Sequence, residues 1–186
     1  MLIGLISDSH IPDARDDLWP EVYAAFRGVD AILHAGDIYS LNVLDWLEQR
    51  CQAPIYAARG NGDSGSGGRR VTPEDPRLKP VHVLTLGGLR VGLRHVIPDP
   101  SPRWTLAPFM ERYFGGPVDI IVCGDTHVEE IQEMEGVLLI NPGSPTYPHN
   151  MATRKGTIGF LEITDGMPKA WIEWLPGAET VAWRTQ

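Results

Sequence analysis

Two five-residue stretches of the chain end in the same pattern, an aspartate two positions before a histidine. They are ISDSH at residues 6–10 and CGDTH at residues 123–127. Carboxylates and imidazoles bind divalent metals, and they can also transfer protons. No longer repeat accompanies the two stretches, so an internal duplication does not explain them. A shared metal site is the alternative to coincidence.

Residues of the same chemistry follow the other apolar segments. Segments 2–7, 30–35 and 54–58 are short and almost continuously apolar, which is typical of buried parallel strands. In open α/β sheets, ligands bind beyond the carboxyl ends of such strands. Taken singly, each candidate could be a turn residue or a structural histidine, but their shared position favours one site. The candidates are Asp8, His10, Asp37, Asn61, Asp63, His95, Asp125 and His127.

The segments between these strands predict helices. The first helix is expected to begin after Asp16 or Asp17 and to end at Gly28. A second is expected from Ser40 to about Gln49. Alternating strands and helices with right-handed crossovers give a sheet that helices cover. The apolar face of the first helix consists of Leu18, Val22 and Phe26.

The second half of the chain has a different pattern, dominated by hairpins. A Gly87-Gly88 turn separates two strand-like segments, and a helix is expected around residues 105–115. Residues 64–78 are rich in glycine, proline and charge, which is typical of a mobile loop whose arginines face either the site or solvent. The remaining expected elements are strands at 81–86, 89–96 and 118–123, with hairpin turns near Glu135-Gly136 and Asp165-Gly166.

Composition restricts the classes of function. The 186 residues carry a net charge of −8, which argues against a protein that wraps long nucleic acid. A small phosphate ester remains compatible with that charge. No apolar run reaches the roughly 18 residues of a membrane helix, and no signal peptide is recognisable. Cys51 and Cys123 are expected to be a reduced pair, and the protein to be cytoplasmic.

One glycine-rich stretch imitates a dinucleotide-binding motif. Residues 60–65, GNGDSG, match G-x-G-x-x-G after a predicted strand. That motif requires a helix to begin at once. Here Gly67 and Gly68, followed by Pro73 and Pro76, argue against a helix. A nucleotide-cofactor fold is therefore not expected.

The ordered set of motifs resembles that of the calcineurin-like metallophosphoesterases, and most closely their small prokaryotic phosphodiesterase branch. The resemblance covers residue 1 to about residue 163. It implies one metallophosphoesterase domain over residues 1–186, folded as a four-layer α/β/β/α sandwich of two mixed sheets flanked by helices. The motifs are Asp-x-His, Gly-Asp, Gly-Asn-x-Asp, a strand-end histidine, Gly-x-Thr-His and Asn141-Pro142-Gly143-Ser144.

The resemblance also implies a site with two divalent metals, foremost Mn²⁺, with Fe, Ni, Co and Zn as alternatives. A metal-activated hydroxide would attack phosphodiesters, and some monoesters. Asp37, Asn61 and His95 would be catalytic, Gly60 would allow close approach of the backbone, and Asp63 would orient a ligand. One metal would be held by Asp8, His10, Asp37 and His127, and the second by Asp37, Asn61, His95 and Asp125.

Three positions depart from the family pattern. Asp125 stands where relatives usually have a histidine ligand, which lowers the positive charge of the site. Gly62 stands where some phosphatases have a histidine that protonates the leaving group, and Ile97 replaces a second histidine. Without such an acid, which is worth about 10²–10⁴-fold, the protein is expected to favour good leaving groups such as aryl esters.

An interaction scaffold with little or no catalytic activity is the alternative function, since the retromer subunit of this fold acts mainly as a binding surface. The set of candidate ligands favours the enzyme. The expected partner is a small phosphate ester, with neither long nucleic acid nor membrane, and a homo-oligomer is conceivable. Either core packing or a dimer face would account for Trp171, Trp174 and Trp183.

Overall fold

The computed structural model describes residues 1–97, 105–151 and 153–178. Its helices are α1 (Pro20–Ala25), α2 (Asn42–Cys51) and α3 (Leu106–Phe114). The strands are β1 (Leu2–Ile6), β2 (Ala31–His34), β3 (Ile55–Ala58), β4 (Leu78–Lys79), β5 (His82–Leu86), β6 (Leu89–Leu93), β7 (Ile120–Val122), β8 (Glu130–Met134), β9 (Val137–Asn141), β10 (Thr157–Thr164) and β11 (Met167–Trp174).

The strands form two mixed sheets. The first has the order β11-β10-β1-β2-β3-β4, and the second has the order β5-β6-β7-β9-β8. Strands β1, β2 and β3 run parallel, and so do β6, β7 and β9. The carboxyl ends of parallel neighbours meet at one edge of a sheet, so each sheet offers an edge where the loops after its strands converge.

Three apolar cores fill the spaces between the layers. Between the first sheet and helices α1 and α2 lies a core that contains Phe26 and Leu44. Between the two sheets, Leu5 and Leu33 pack with Val91 and Ile140. Helix α3 covers the outer face of the second sheet through a third core. The predicted four-layer α/β/β/α sandwich is therefore confirmed.

Several element boundaries differ from the prediction. Helix α1 begins at Pro20, with Trp19 rather than Asp16 or Asp17 at the N-cap, because proline is favoured in the first turn of a helix. The Asp17 carboxylate instead accepts hydrogen bonds from the Leu18 N–H and the Tyr23 hydroxyl. Helix α1 ends at Ala25, before Gly28.

Helix α2 begins at Asn42, two residues later than predicted, and continues to Cys51. Strand β6 ends at Leu93, so His95 follows the strand instead of lying within it. The predicted loop 64–78 contains a 3-10 turn at Ser66–Gly68, and its last residue opens β4, which pairs in parallel with β3. Residues 60–65 are followed by this 3-10 turn and not directly by an α-helix, as the glycines and prolines predicted.

The remaining expectations concern the cysteines, the tryptophans and the membrane. Cys51 and Cys123 are free, in agreement with the predicted reduced pair. Trp171 stacks on Phe160 of the first core, with ring centroids 5.2 Å apart, whereas Trp183 lies outside the described residues. In the described part of the chain, no helix combines the length and the hydrophobicity needed to cross a bilayer.

Candidate metal centre

The candidate ligands lie in tight turns with unusual backbone conformations. Positive φ angles of 51°, 48°, 54°, 74° and 59° occur at Asp8, His10, Asp37, Asp125 and His127. Non-glycine residues adopt this left-handed region infrequently, although aspartate and histidine tolerate it better than most. Such strain persists where the surrounding structure enforces it, and it concentrates at functional sites.

Asp8 is the centre of the cluster. Its side chain is fully buried, and its Oδ1 lies 3.5 Å from His127 Nε2, 3.8 Å from His10 Nε2 and 4.0 Å from His95 Nε2. Burial opposes its ionisation, but the surrounding imidazoles and the Ser7 hydroxyl outweigh burial and hold the pKa of Asp8 below its usual value. Loops from both sheets therefore converge on one carboxylate oxygen.

Asp37 lies between two histidines. Its Oδ2 is 3.5 Å from His10 Nε2, and its Oδ1 is 3.6 Å from His95 Nε2. Burial, together with the charges of Asp8 and Asp63, raises the pKa of Asp37 against the opposing effect of the imidazoles. Two groups of mutually close ligand atoms result, Asp8–His10–His127 and Asp8–Asp37–His95.

Two of the histidines are oriented by backbone carbonyls. His95 Nδ1 lies 2.7 Å from the Ala35 carbonyl oxygen, and His127 Nδ1 lies 3.0 Å from that of Tyr147. When each Nδ1–H donates to its carbonyl, Nε2 faces the carboxylates, which is the usual support for a metal-binding histidine. Burial lowers the pKa of His127, which favours the neutral ring that a metal ligand needs.

Unsatisfied polar atoms test whether a cation fits this centre. Within the described part of the chain, Asp8 Oδ1 and His10 Nε2 are buried without a hydrogen-bond partner. Burying such groups unpaired costs about 1–3 kcal/mol each. A divalent cation bound by carboxylate and imidazole would satisfy both atoms. The residues therefore fit a metal.

Asn61 and Asp125 approach the centre beside His95. Asn61 Oδ1 lies 3.0 Å from His95 Nε2, and Asp125 Oδ1 lies 3.6 Å from the same nitrogen. The Asp125 side chain is 39% exposed, and it belongs to neither group of mutually close ligand atoms. The structure thus places Asp125 at the rim, while its role as a ligand stays a prediction.

Gly60 and Asp63 hold the loop after β3 against the loop after β2. A Cβ on Gly60 would lie 2.0 Å from Asp37 Oδ1, so a side chain there would displace that carboxylate. The buried Asp63 carboxylate accepts hydrogen bonds from the backbone N–H groups of Gly60, at 2.9 Å, and Tyr39, at 2.8 Å. The two loops are therefore linked through one side chain.

The Asn-Pro-Gly-Ser motif supports the first and last ligand loops. The Ser144 hydroxyl donates to the Asp8 carbonyl oxygen at 2.7 Å, and the Asn141 amide donates to the Gly124 carbonyl oxygen at 3.0 Å. The motif therefore fixes the backbone at both Asp-x-His stretches.

Comparison with known proteins identifies the family. The model of the calcineurin-like phosphoesterase superfamily domain matches residues 1–166. The chain belongs to this superfamily. A probable metallophosphoesterase of Methanothermobacter thermautotrophicus is 40% identical over 150 residues, covering 80% of this chain and 79% of the relative.

Solved structures share the phosphoesterase fold at low identity. One is described as a novel archaeal phosphodiesterase, with 22% identity, a TM-score of 0.63, and coverage of 93% of this chain and all of that chain. Another is Vps29 of Entamoeba histolytica complexed with Zn²⁺, with 23% identity, a TM-score of 0.64, and coverage of 94% and 99%. Similarity at this level establishes the fold alone.

A cleft of about 440 Å³ opens onto the candidate metal centre and includes residues that the sequence did not predict. The Tyr39 ring lies 4.5 Å from the His10 ring, and the Arg69 guanidinium lies 4.8 Å from the Tyr39 ring centroid. Arg69 also pairs with Asp13 at 3.0 Å. Of the three arginines in the predicted loop 64–78, Arg69 therefore lines the cleft.

Tyr39 also occupies the space beside Gly62. A Cβ on Gly62 would lie 2.3 Å from Tyr39 Cε1, so a histidine at this position would collide with the ring. The Tyr39 hydroxyl lies 3.4 Å from Asp37 Oδ2. In this member of the superfamily a phenol, rather than an imidazole, faces the cleft next to Asn61. No spacing pattern in the sequence predicts that contact.

Proposed function

We propose that the protein hydrolyses phosphodiesters, and some monoesters, at a centre of two divalent metals. The observation that carries the proposal is the position of Asp37, whose two oxygens face two different histidines, His10 at 3.5 Å and His95 at 3.6 Å. A carboxylate in that position can bridge two cations. We propose Mn²⁺ first, with Fe, Ni, Co or Zn as alternatives, because the candidate ligands offer oxygen and imidazole without thiolate.

The chain would position the metals and the ester. Asp8, His10, Asp37 and His127 would hold one ion, and Asp37, Asn61, His95 and Asp125 the other. Bound ions polarise phosphoryl oxygens and lower the pKa of water. The carbonyls of Ala35 and Tyr147 fix the rings of His95 and His127, so this orientation is present before substrate arrives. Tyr39 and Tyr147 line the cleft that would take the ester.

Asp125 gives the proposed centre a preference for diesters. The net charge of the proposed centre is small and positive, because two divalent cations are balanced by the three carboxylates of Asp8, Asp37 and Asp125. A monoanionic diester suits that charge better than a dianionic monoester does. We therefore expect Asp125→His to raise the ratio of monoesterase to diesterase kcat/KM, by about tenfold for one added unit of charge near the phosphate.

This ratio can be measured with 4-nitrophenyl phosphate and bis(4-nitrophenyl) phosphate at fixed metal content. Asp125→Asn is the matched control, because it removes the same charge without adding an imidazole. If the charge of Asp125 causes the preference for diesters, both variants should raise the ratio of monoesterase to diesterase kcat/KM. An unchanged ratio in both would refute this explanation of the aspartate.

An interaction scaffold is the second candidate, favoured by the structural similarity to Vps29. A scaffold has no need for buried, unpaired Asp8 Oδ1 and His10 Nε2, which is why we place the enzyme first. The two free cysteines agree with our proposal of a cytoplasmic location. A small phosphate ester is the proposed partner.

Metal analysis followed by turnover tests the proposed function. The purified protein should contain about two equivalents of divalent metal after loading, and should hydrolyse bis(4-nitrophenyl) phosphate. Removal of metal by a chelator should abolish turnover, and readdition should restore it. A fully loaded protein that hydrolyses neither aryl diesters nor monoesters with any of the five metals would favour the scaffold.

A further inference from the structure

A second cleft adjoins the metal centre on the side of His95. It has a volume of about 280 Å³ and lies between the loop after β3 and the segment after β6, with Tyr113 of α3 beside it. Asn61 and His95 line this second cleft, and Asn61 also lines the larger one. A molecule bound at the centre can therefore extend into either cleft.

The charge of the second cleft differs from that of the first. Asp13, Asp37 and Asp125 line the larger cleft together with Arg69. Among the described residues, the second cleft is lined by two arginines, Arg59 and Arg94, and by no acidic side chain. Because Arg59 also pairs with the Glu74 carboxylate at 3.3 Å, the uncompensated positive charge of this cleft comes from Arg94.

Arg94 is held in place by aromatic rings. Its guanidinium lies 4.1 Å from the Tyr113 ring centroid and 5.6 Å from that of Phe109. In the described part of the chain, no carboxylate lies within ion-pair distance of it, whereas Arg50, Arg69 and Arg77 each pair with at least one.

A guanidinium held over an aromatic ring still has N–H groups that can donate to a ligand. A planar fork of this kind binds phosphate or carboxylate through two parallel hydrogen bonds. Arg59 is less available, because its donors are directed to the carbonyls of Asp63, Thr72 and Pro73. Arg94 is thus the residue that could hold an anion.

The geometry points to a substrate with two anionic groups, in which the scissile phosphodiester lies at the metal centre and a second phosphate or carboxylate on one ester arm binds Arg94. This inference rests on the proposed function, since it defines the substrate class of the same site. The larger cleft, with Tyr39 and Tyr147 in its wall, would take the other arm.

Two esters that differ only at the end of one arm test the inference. These are 4-nitrophenyl 3-hydroxypropyl phosphate and the same compound phosphorylated on its terminal hydroxyl. The wild-type protein should show a kcat/KM about tenfold higher for the phosphorylated ester, as expected for one charge-assisted hydrogen-bonded pair. Arg94→Gln should bring that ratio to about one, and Arg94→Lys should retain part of it.

Arg112→Gln is the matched control, because Arg112 also lies against the Tyr113 ring, at 5.2 Å, but does not line the cleft. It should keep the wild-type ratio. A wild-type ratio near one, with both esters hydrolysed, overturns the inference and leaves the proposed function intact. If Arg112→Gln loses the preference for the phosphorylated ester as fully as Arg94→Gln does, the preference comes from the general charge of the surface. That result would also overturn the inference.

A binding measurement makes the result independent of turnover. Calorimetric titration of the metal-loaded protein with propylphosphonate and propane-1,3-bisphosphonate should show tighter binding of the bisphosphonate in the wild type only. An advantage that persists in Arg94→Gln would indicate metal chelation and overturn the inference. If neither ester is hydrolysed, the proposed function fails, and this titration alone decides whether Arg94 binds an anion.

Discussion

An Asp37→Asn variant is expected to lose turnover of bis(4-nitrophenyl) phosphate by at least about 10³-fold, the effect of losing charge stabilisation at a reacting centre. Its metal content should fall from about two equivalents towards one. The reason is geometric, because Asp37 offers one oxygen to the side of His10 and the other to the side of His95. An amide has one oxygen and no charge, so it cannot serve both sides.

The fold should survive this substitution. The Asn oxygen can still accept the hydrogen bond that the Gly62 N–H now donates to Asp37 Oδ1 at 2.8 Å. Asp45→Asn is a suitable control, since Asp45 pairs with Arg77 and lies in neither cleft. Wild-type metal content and turnover in Asp37→Asn would contradict a bridging role.

Gly60→Ala is expected to inactivate the protein without removing any ligand atom. The added Cβ would lie 2.0 Å from Asp37 Oδ1 and 2.5 Å from the Asp37 backbone nitrogen. The loops must separate to relieve this overlap, which should cost about 1–3 kcal/mol of unfolding free energy. A displacement of about 1 Å at a catalytic group can reduce turnover about 10²-fold, and we expect a loss of at least that size.

Gly159→Ala provides the matched control. A Cβ on Gly159 would lie 3.3 Å from each of its three nearest neighbours, a contact that small shifts can relieve. Thermal unfolding, metal content and kcat/KM should be measured for both variants. If Gly60→Ala retains wild-type kcat/KM, the close approach of the two loops is not required for activity.

The sequence predicted a parallel sheet covered by helices because buried parallel strands leave a distinct apolar pattern, whereas the four-layer sandwich was expected from the family resemblance. β1, β2 and β3 were expected within two residues of their observed bounds for that reason. The predicted start of α1 was wrong. The prediction used an aspartate before Trp19 as the helix cap, but Pro20 occupies the first turn and sets where the helix begins. β4 was missed because two residues within a polar, proline-rich stretch carry no periodicity.

The convergence of the candidate ligands was predictable for a similar reason, since residue type and strand-end position are both visible in a sequence. The contacts of Tyr39 and Arg94 were not predictable from the sequence. Tyr39 reaches Gly62, and Arg94 lies over the Tyr113 ring of α3, only because segments distant in sequence meet. Such contacts depend on how the sheets pack, which no local pattern encodes. The role of each ligand stays a prediction until metal is measured.

Asp8 and Asp125, which lie on loops of different sheets, are joined by a backbone-to-carboxylate hydrogen bond across 117 positions of sequence. Such a contact forms only after the chain entropy of closing a long loop has been lost. Neither sheet alone contains the full set of ligands. Metal uptake would therefore follow the docking of the two sheets. A metal-sensitive signal recorded during refolding would show when that docking occurs.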